Sequence, residues 1–139
     1  MLKPLARIPL ALLCLAVGAS SASGQSANRW LLLDPGEPRI ELDTTTLTKS
    51  PDGFPRVWLR FTFKTPHVTA DKKYINMKWR VDFNCAKRQD SIAEAIQYAE
   101  NGDIVGDTKQ PYTLWTEVVP ETVGEAALNG FCRSKFALL

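Results

Sequence analysis

Histidine occurs once in the 139 residues, at position 67. One imidazole cannot supply a two-histidine metal site or a histidine acid–base pair. His67 is left with three roles: an axial ligand for haem, one share of a larger metal site, or a solvated loop residue after Pro66. Carboxylates are plentiful but scattered, and Asp82 and Asp90 are the pair that can be offered for catalysis. Paired-carboxylate chemistry needs two acids brought together by the fold, one with a raised pKa. No spacing singles out such a pair. The chain also lacks a glycine-rich phosphate loop, His-Glu-x-x-His, Cys-x-x-Cys and Gly-x-Ser-x-Gly. The expectation is a non-enzymatic protein without a catalytic site, metal site or cofactor.

Binding chemistry is better represented. Arg60 and Lys64 share one face of an alternating segment, Lys78 and Arg80 share a face of the next, and Lys72 and Lys73 lie between. Pairing the two segments as antiparallel strands would merge these six cations into one positive patch. Such a patch suits an acidic protein segment or a sulfated glycan. It equally suits a solvated face balanced by Asp82 and neighbouring acids. Trp58 falls on the same polar face as Arg60. An aromatic beside arginine fits a contact surface, or a second sheet face covered by a terminal helix.

Residues 1–24 read as a cleaved secretory signal peptide. Lys3 and Arg7 form a positive start, an apolar run covers residues 8–17, and small residues follow at 19–24. The run is about half the roughly 20 residues that span a bilayer. Cys14 follows Leu13 inside that run, an unsuitable setting for lipid attachment, and reads as a small hydrophobe. Loss of Lys3 and Arg7 from the 17 basic residues leaves a mature chain whose charge balances its 15 acids. A neutral domain argues against general nucleic-acid binding. Cys85 and Cys132 remain, and two cysteines in an oxidising compartment most simply pair. Residues 25–139 are long enough for a single domain with its own core.

The elements that must position these residues are mostly strands. Trp30 opens a short apolar run stopped by Asp34-Pro35-Gly36, and Ile40 and Leu42 alternate with charged neighbours. Val57, Leu59, Phe61 and Phe63 alternate with Trp58, Arg60, Thr62 and Lys64. Met77, Trp79, Val81, Phe83 and Cys85 do the same against Lys78, Arg80, Asp82 and Asn84. This is the period of half-buried strands. A further strand is expected over 112–119, and Thr122-Val123-Gly124-Glu125 is a capping box for a short helix over 123–132. Residues 91–100 are ambiguous. Their alanine and glutamate content and Ser91-Ile92-Ala93-Glu94 favour a helix. The strand alternative places Ile92, Glu94, Ile96 and Tyr98 on one face and uses Asn101-Gly102 as a hairpin turn.

In order and spacing, the chain resembles the surface-adhesin protein E-like family of exported proteobacterial proteins. The resemblance runs from Trp30 to Cys132. It is carried by Asp43 followed by threonines, Val57-Trp58-Leu59-Arg60, Val81-Asp82-Phe83-Asn84-Cys85, Tyr98-x-x-Asn101-Gly102-x-Ile104-Val105 and Trp115-x-x-Val118-Val119-Pro120. It implies a mainly β (α+β) fold: a small antiparallel sheet of about six strands and a C-terminal helix pinned by one disulfide, Cys85 to Cys132. With the hairpin signal, it selects the strand for 91–100. The family's namesake is a surface adhesin that contacts host matrix and serum proteins and is associated with haem. The implied function is an exported, non-enzymatic binding domain in the periplasm or on the cell surface. Its partner would be a host matrix protein or an envelope protein. The candidate contact residues are Trp58, Arg60, Lys64, Lys72, Lys73, Lys78 and Arg80. The alternatives are an accessory or structural domain of the envelope, or a small-ligand carrier using His67 for haem.

Overall fold

The computed structural model describes residues 28–138. The expected signal segment, Cys14 included, lies outside the described residues. Six strands follow one antiparallel path: β1 (Trp30–Asp34), β2 (Arg39–Asp43), β4 (Pro55–Thr69), β5 (Lys72–Asn84), β6 (Gln89–Tyr98) and β7 (Ile104–Lys109). Two short strands extend it: β3 (Thr48–Lys49) pairs with β4, and β8 (Thr116–Glu117) pairs with β6. A helix, α1 (Val123–Cys132), and a 3-10 turn, Lys135–Leu138, close the chain. No described helix is long and apolar enough to cross a membrane.

Alternation in the sequence becomes two-sidedness in the sheet. Ile40, Leu42, Val57, Leu59, Phe61, Val81 and Phe83 are buried on one face. α1 lies on that face with Ala127, Leu128 and Phe131 inward, and the Phe131 ring stacks on Phe83 at 4.7 Å. Gly130 faces Leu33 of β1 so closely that a Cβ would stand 2.8 Å from the leucine side chain, which lets helix and edge strand touch. The helix starts where the capping box predicts. Thr122 Oγ1 accepts from the Glu125 N–H, and the Glu125 carboxylate accepts in return from the Glu121 N–H at 2.8 Å. Cys85, just beyond β5, bonds to Cys132 at the end of α1, joining sheet to helix across 47 residues.

Within 91–100, residues 91–98 are strand, as the hairpin signal and the family resemblance require, and the last two enter the turn. β6 lies between β5 and β7 and pairs with both, so two ladders outweigh a helical propensity worth only tenths of a kilocalorie per residue. The turn to β7 uses Gly102 at φ +90°, a backbone conformation glycine adopts freely.

Two expectations are corrected. The strand over 112–119 shrinks to Thr116–Glu117, because its only ladder is a short one against Gln89 and Asp90. The single-face reading of β6 also fails. Val81 pairs with Ile92, whereas Arg80 pairs with Glu94, so Ala93 is an extra residue, a β-bulge. Ile92 therefore packs on the core, and Glu94, Ile96 and Tyr98 turn to the opposite face.

Replacing both cysteines by alanine should lower unfolding free energy by up to about 4 kcal/mol, the loop-closure value for this separation. Urea unfolding of the double variant measures it. An unchanged midpoint would mean that the disulfide does not constrain the unfolded chain.

Candidate binding face

The face away from α1 carries the polar residues of each strand. Register places Trp58 opposite Arg80 and Arg60 opposite Lys78 across β4 and β5. Glu41 and Asp43 of β2 join from one side, with Leu32 and Trp30 of β1 beyond them. Glu94 and Ile96 join from β6 on the other side. Trp58 is half-buried by its neighbours within the sheet, and the helix covers the opposite face.

Ion pairs hold this face together. Arg56 Nε and Nη2 donate to the two carboxylate oxygens of Asp82 at 2.6 and 2.9 Å. Asp82 is fully buried, and this forked pair satisfies its charge. The hydrogen bonds to Asp82 hold the Arg56 guanidinium above its ordinary pKa. Glu41 accepts from Arg60 on one oxygen, at 2.9 and 2.7 Å, and from Arg39 on the other at 3.2 Å. Glu94 lies between Arg80 at 3.4 Å and Lys109 at 3.3 Å, while Arg80 Nε is buried without an acceptor among the described residues. Arg29 donates twice to Asp43 Oδ2, and Thr45 donates its N–H and hydroxyl to Oδ1. Burial pushes the Asp43 carboxyl upward, but the bonds from Arg29 and Thr45 together outweigh burial and hold it below the usual range.

Aromatic rings fill the spaces between these pairs. The Arg60 guanidinium lies 4.2 Å from the centre of the Trp30 ring, and Lys78 Nζ lies 5.0 Å from that of Tyr98. Burial raises the Tyr98 hydroxyl pKa, helped by the charges of Glu94 and Asp107, so the phenol stays neutral at pH 7. Trp30, Trp58, Ile96 and Tyr98 wall a groove of about 220 Å³, with Lys78 on its lining.

The residues singled out from sequence divide into two groups. Trp58, Arg60, Lys78 and Arg80 meet on the open face, although Arg60 and Arg80 are already paired with acids. Lys64, Lys72 and Lys73 belong instead to the β4–β5 arm. Pairing with β2 stops at Thr62 and pairing with β6 stops at Asn76, so the arm continues as a two-stranded ribbon. Lys72 and Lys73 flank its tip opposite Thr69 and Val68. The Lys64 backbone N–H donates to Glu37 Oε1.

His67 is also in the arm, its ring 4.3 Å from that of Phe63 and 5.7 Å from that of Tyr74. Asp82 and Asp90 fall on opposite faces, Asp82 opposite Arg56 and Asp90 opposite the core residue Phe83. Burial pushes the Asp90 carboxyl above its ordinary range. The two acids offered as a catalytic pair are therefore held apart. Sequence reasoning passed over Arg29, Arg56, Glu41 and Asp43. Glu41 and Asp43 alternate with Ile40 and Leu42, and that pattern was the available signal.

The fold and this face define a small disulfide-pinned sheet domain, one side closed by a helix and the other built from residue types common in protein contacts. Residues 30–133 match the model for surface-adhesin protein E, and the chain belongs to that family. Membership implies an exported protein with an adhesin-like, non-enzymatic role. No curated protein and no solved structure matches the chain.

Two stability predictions follow from the ion pairs. Asp82→Ala should destabilise the domain by about 3–5 kcal/mol, because Arg56 loses its buried partner. A loss below 1 kcal/mol in urea unfolding would contradict the pairing. Asp43 has a lowered native pKa, so its contribution is complete above the unfolded value of about 4 and lost as pH falls through the native value. Asp43→Asn should remove that part of the acid dependence when unfolding midpoints are compared between pH 2 and pH 7.

Proposed function

We propose that this domain is exported after loss of residues 1–24 and acts as a binding module for a protein partner, using the open face of its sheet. The observation that carries the reading is the placement of Trp30, Trp58 and Tyr98, each beside a cation, on the face that α1 leaves uncovered. Aromatic and arginine side chains supply the largest contributions to protein contacts: rings bury wide surfaces with little loss of rotamer freedom, and arginine offers a planar fork of donors. Membership of a surface-adhesin family supports the same role. The partner is a host matrix or serum protein if the domain reaches the cell surface, and an envelope protein if it stays in the periplasm. Trp58 and Lys78 form the centre of the contact, with Arg60 and Arg80 oriented by their acids. Lys64, Lys72 and Lys73 contribute longer-range attraction from the arm.

Trp58→Ala should weaken capture of the partner by about 2 kcal/mol, measured by biosensor binding to a panel of matrix and serum proteins. Equal binding by wild type and variant to every protein that binds would remove the open face as the contact. Protease treatment of intact cells should digest a surface-displayed domain. Protection in intact cells with release by osmotic shock would place the domain in the periplasm and direct the search to envelope partners.

A further inference from the structure

On the open face the cations differ in one respect. Arg29, Arg56, Arg60 and Arg80 each meet a carboxylate, at 2.6, 2.6, 2.7 and 3.4 Å. Lys78 has no carboxylate within ion-pair distance among the described residues. It sits near the middle of the sheet, between Arg60 of β4 and Ile96 of β6. Its ammonium lies against the Tyr98 ring and lines the groove walled by Trp30, Trp58 and Ile96.

We infer that this groove is a subsite for one acidic side chain, a glutamate or aspartate of a polypeptide partner, with its carboxylate received by Lys78. The inference rests on the open-face reading and specifies the partner's chemistry at that face. Charge complementarity selects the ligand. The neighbouring cations have their own anions, so an incoming carboxylate finds its unpaired counter-charge at Lys78. Aromatic and aliphatic walls reduce the solvent around the pair, which strengthens the attraction relative to an exposed surface pair. The same walls accept the methylene groups of the acidic side chain. Asp43 also lines the groove, but Arg29 and Thr45 occupy its oxygens and its side chain is only 2% exposed. Tyr98 remains neutral and does not compete for the ammonium. A volume of about 220 Å³ admits a side chain the size of glutamate.

The test uses the mature protein and a short extended peptide with blocked ends carrying one glutamate between apolar residues. A glutamine analogue serves as the comparison. Binding is followed through the indole N–H signals of the four tryptophans. The glutamate peptide should shift Trp30 and Trp58, and leave Trp79 and Trp115 in place. Trp79 packs toward the core against Phe61, and Trp115 packs on Phe54. The glutamine peptide should bind about fivefold more weakly, as should the glutamate peptide to Lys78→Met. Lys78→Arg should retain binding, and Lys87→Met, in the exposed turn between β5 and β6, should match wild type. Equal affinity for both peptides, or no loss in Lys78→Met at unchanged thermal stability, would overturn the subsite. If Trp58→Ala still reduced protein capture in that case, the open-face reading would stand and only the acidic specificity would fall. Shifts at all four tryptophans would place the peptide elsewhere and also refute the inference.

Discussion

A helix of ten residues covers one side of this sheet and cannot cover two. At 1.5 Å per residue α1 is about 15 Å long. Six strands spaced about 4.8 Å apart make a sheet about 24 Å wide. The buried side collects the aliphatic and phenylalanine side chains beneath α1. The other side must be stable in water without a covering layer, and its composition follows from that requirement. Each buried acid on it is held by arginine, and the rings are placed beside cations. The ion-pair lattice and the candidate contact surface are therefore one structure serving two purposes.

The bulge at Ala93 connects fold to face. Without the extra residue, Ile96 and Tyr98 would point with Ile92 into the core. With it, they stand beside Lys78 and Trp58 and complete the groove. Such an insertion locally alters the ladder and re-aims every side chain beyond it, because strand side chains alternate with a period of two. The disulfide acts on the other side of the sheet. It joins the end of β5 to the end of α1 and holds the helix over the core, leaving the open face free of covalent constraint.

The β4–β5 arm separates two kinds of positive charge. Arginines on the sheet are fixed by carboxylates and give the face its shape. Lysines on the arm project from a ribbon that neighbouring strands do not cover, where solvent and salt screen them. The near balance of 17 basic and 15 acidic residues thus conceals an uneven distribution among the described residues: ion-paired charge on the sheet, and lysines outside any ion pair at its centre and along the arm. Such a distribution favours oriented protein association over the uniform attraction of a generally basic surface.

Much of the architecture was legible in the sequence, for identifiable reasons. Alternation in β4 and β5 identified the buried face, Thr122 and Glu125 marked the helix start, and two cysteines in an exported chain indicated their bond. Each of these rests on short-range pattern or on pairing with a single alternative. The strand at 91–100 needed the hairpin signal and the family resemblance, because its own residues prefer a helix and only ladders with β5 and β7 reverse that preference. The binding face was legible only in part. Trp58, Arg60, Lys78 and Arg80 could be assigned to one side by parity. Their partners could not, because Glu41, Asp43, Asp82 and Glu94 reach them only through strand order and register. Tertiary structure alone decided which cations are neutralised, where the bulge turns Ile96 and Tyr98, and that Lys78 stands among aromatic rings with no carboxylate partner among the described residues. Those outcomes depend on contacts between residues far apart in the chain, and local sequence pattern does not encode the distances between them.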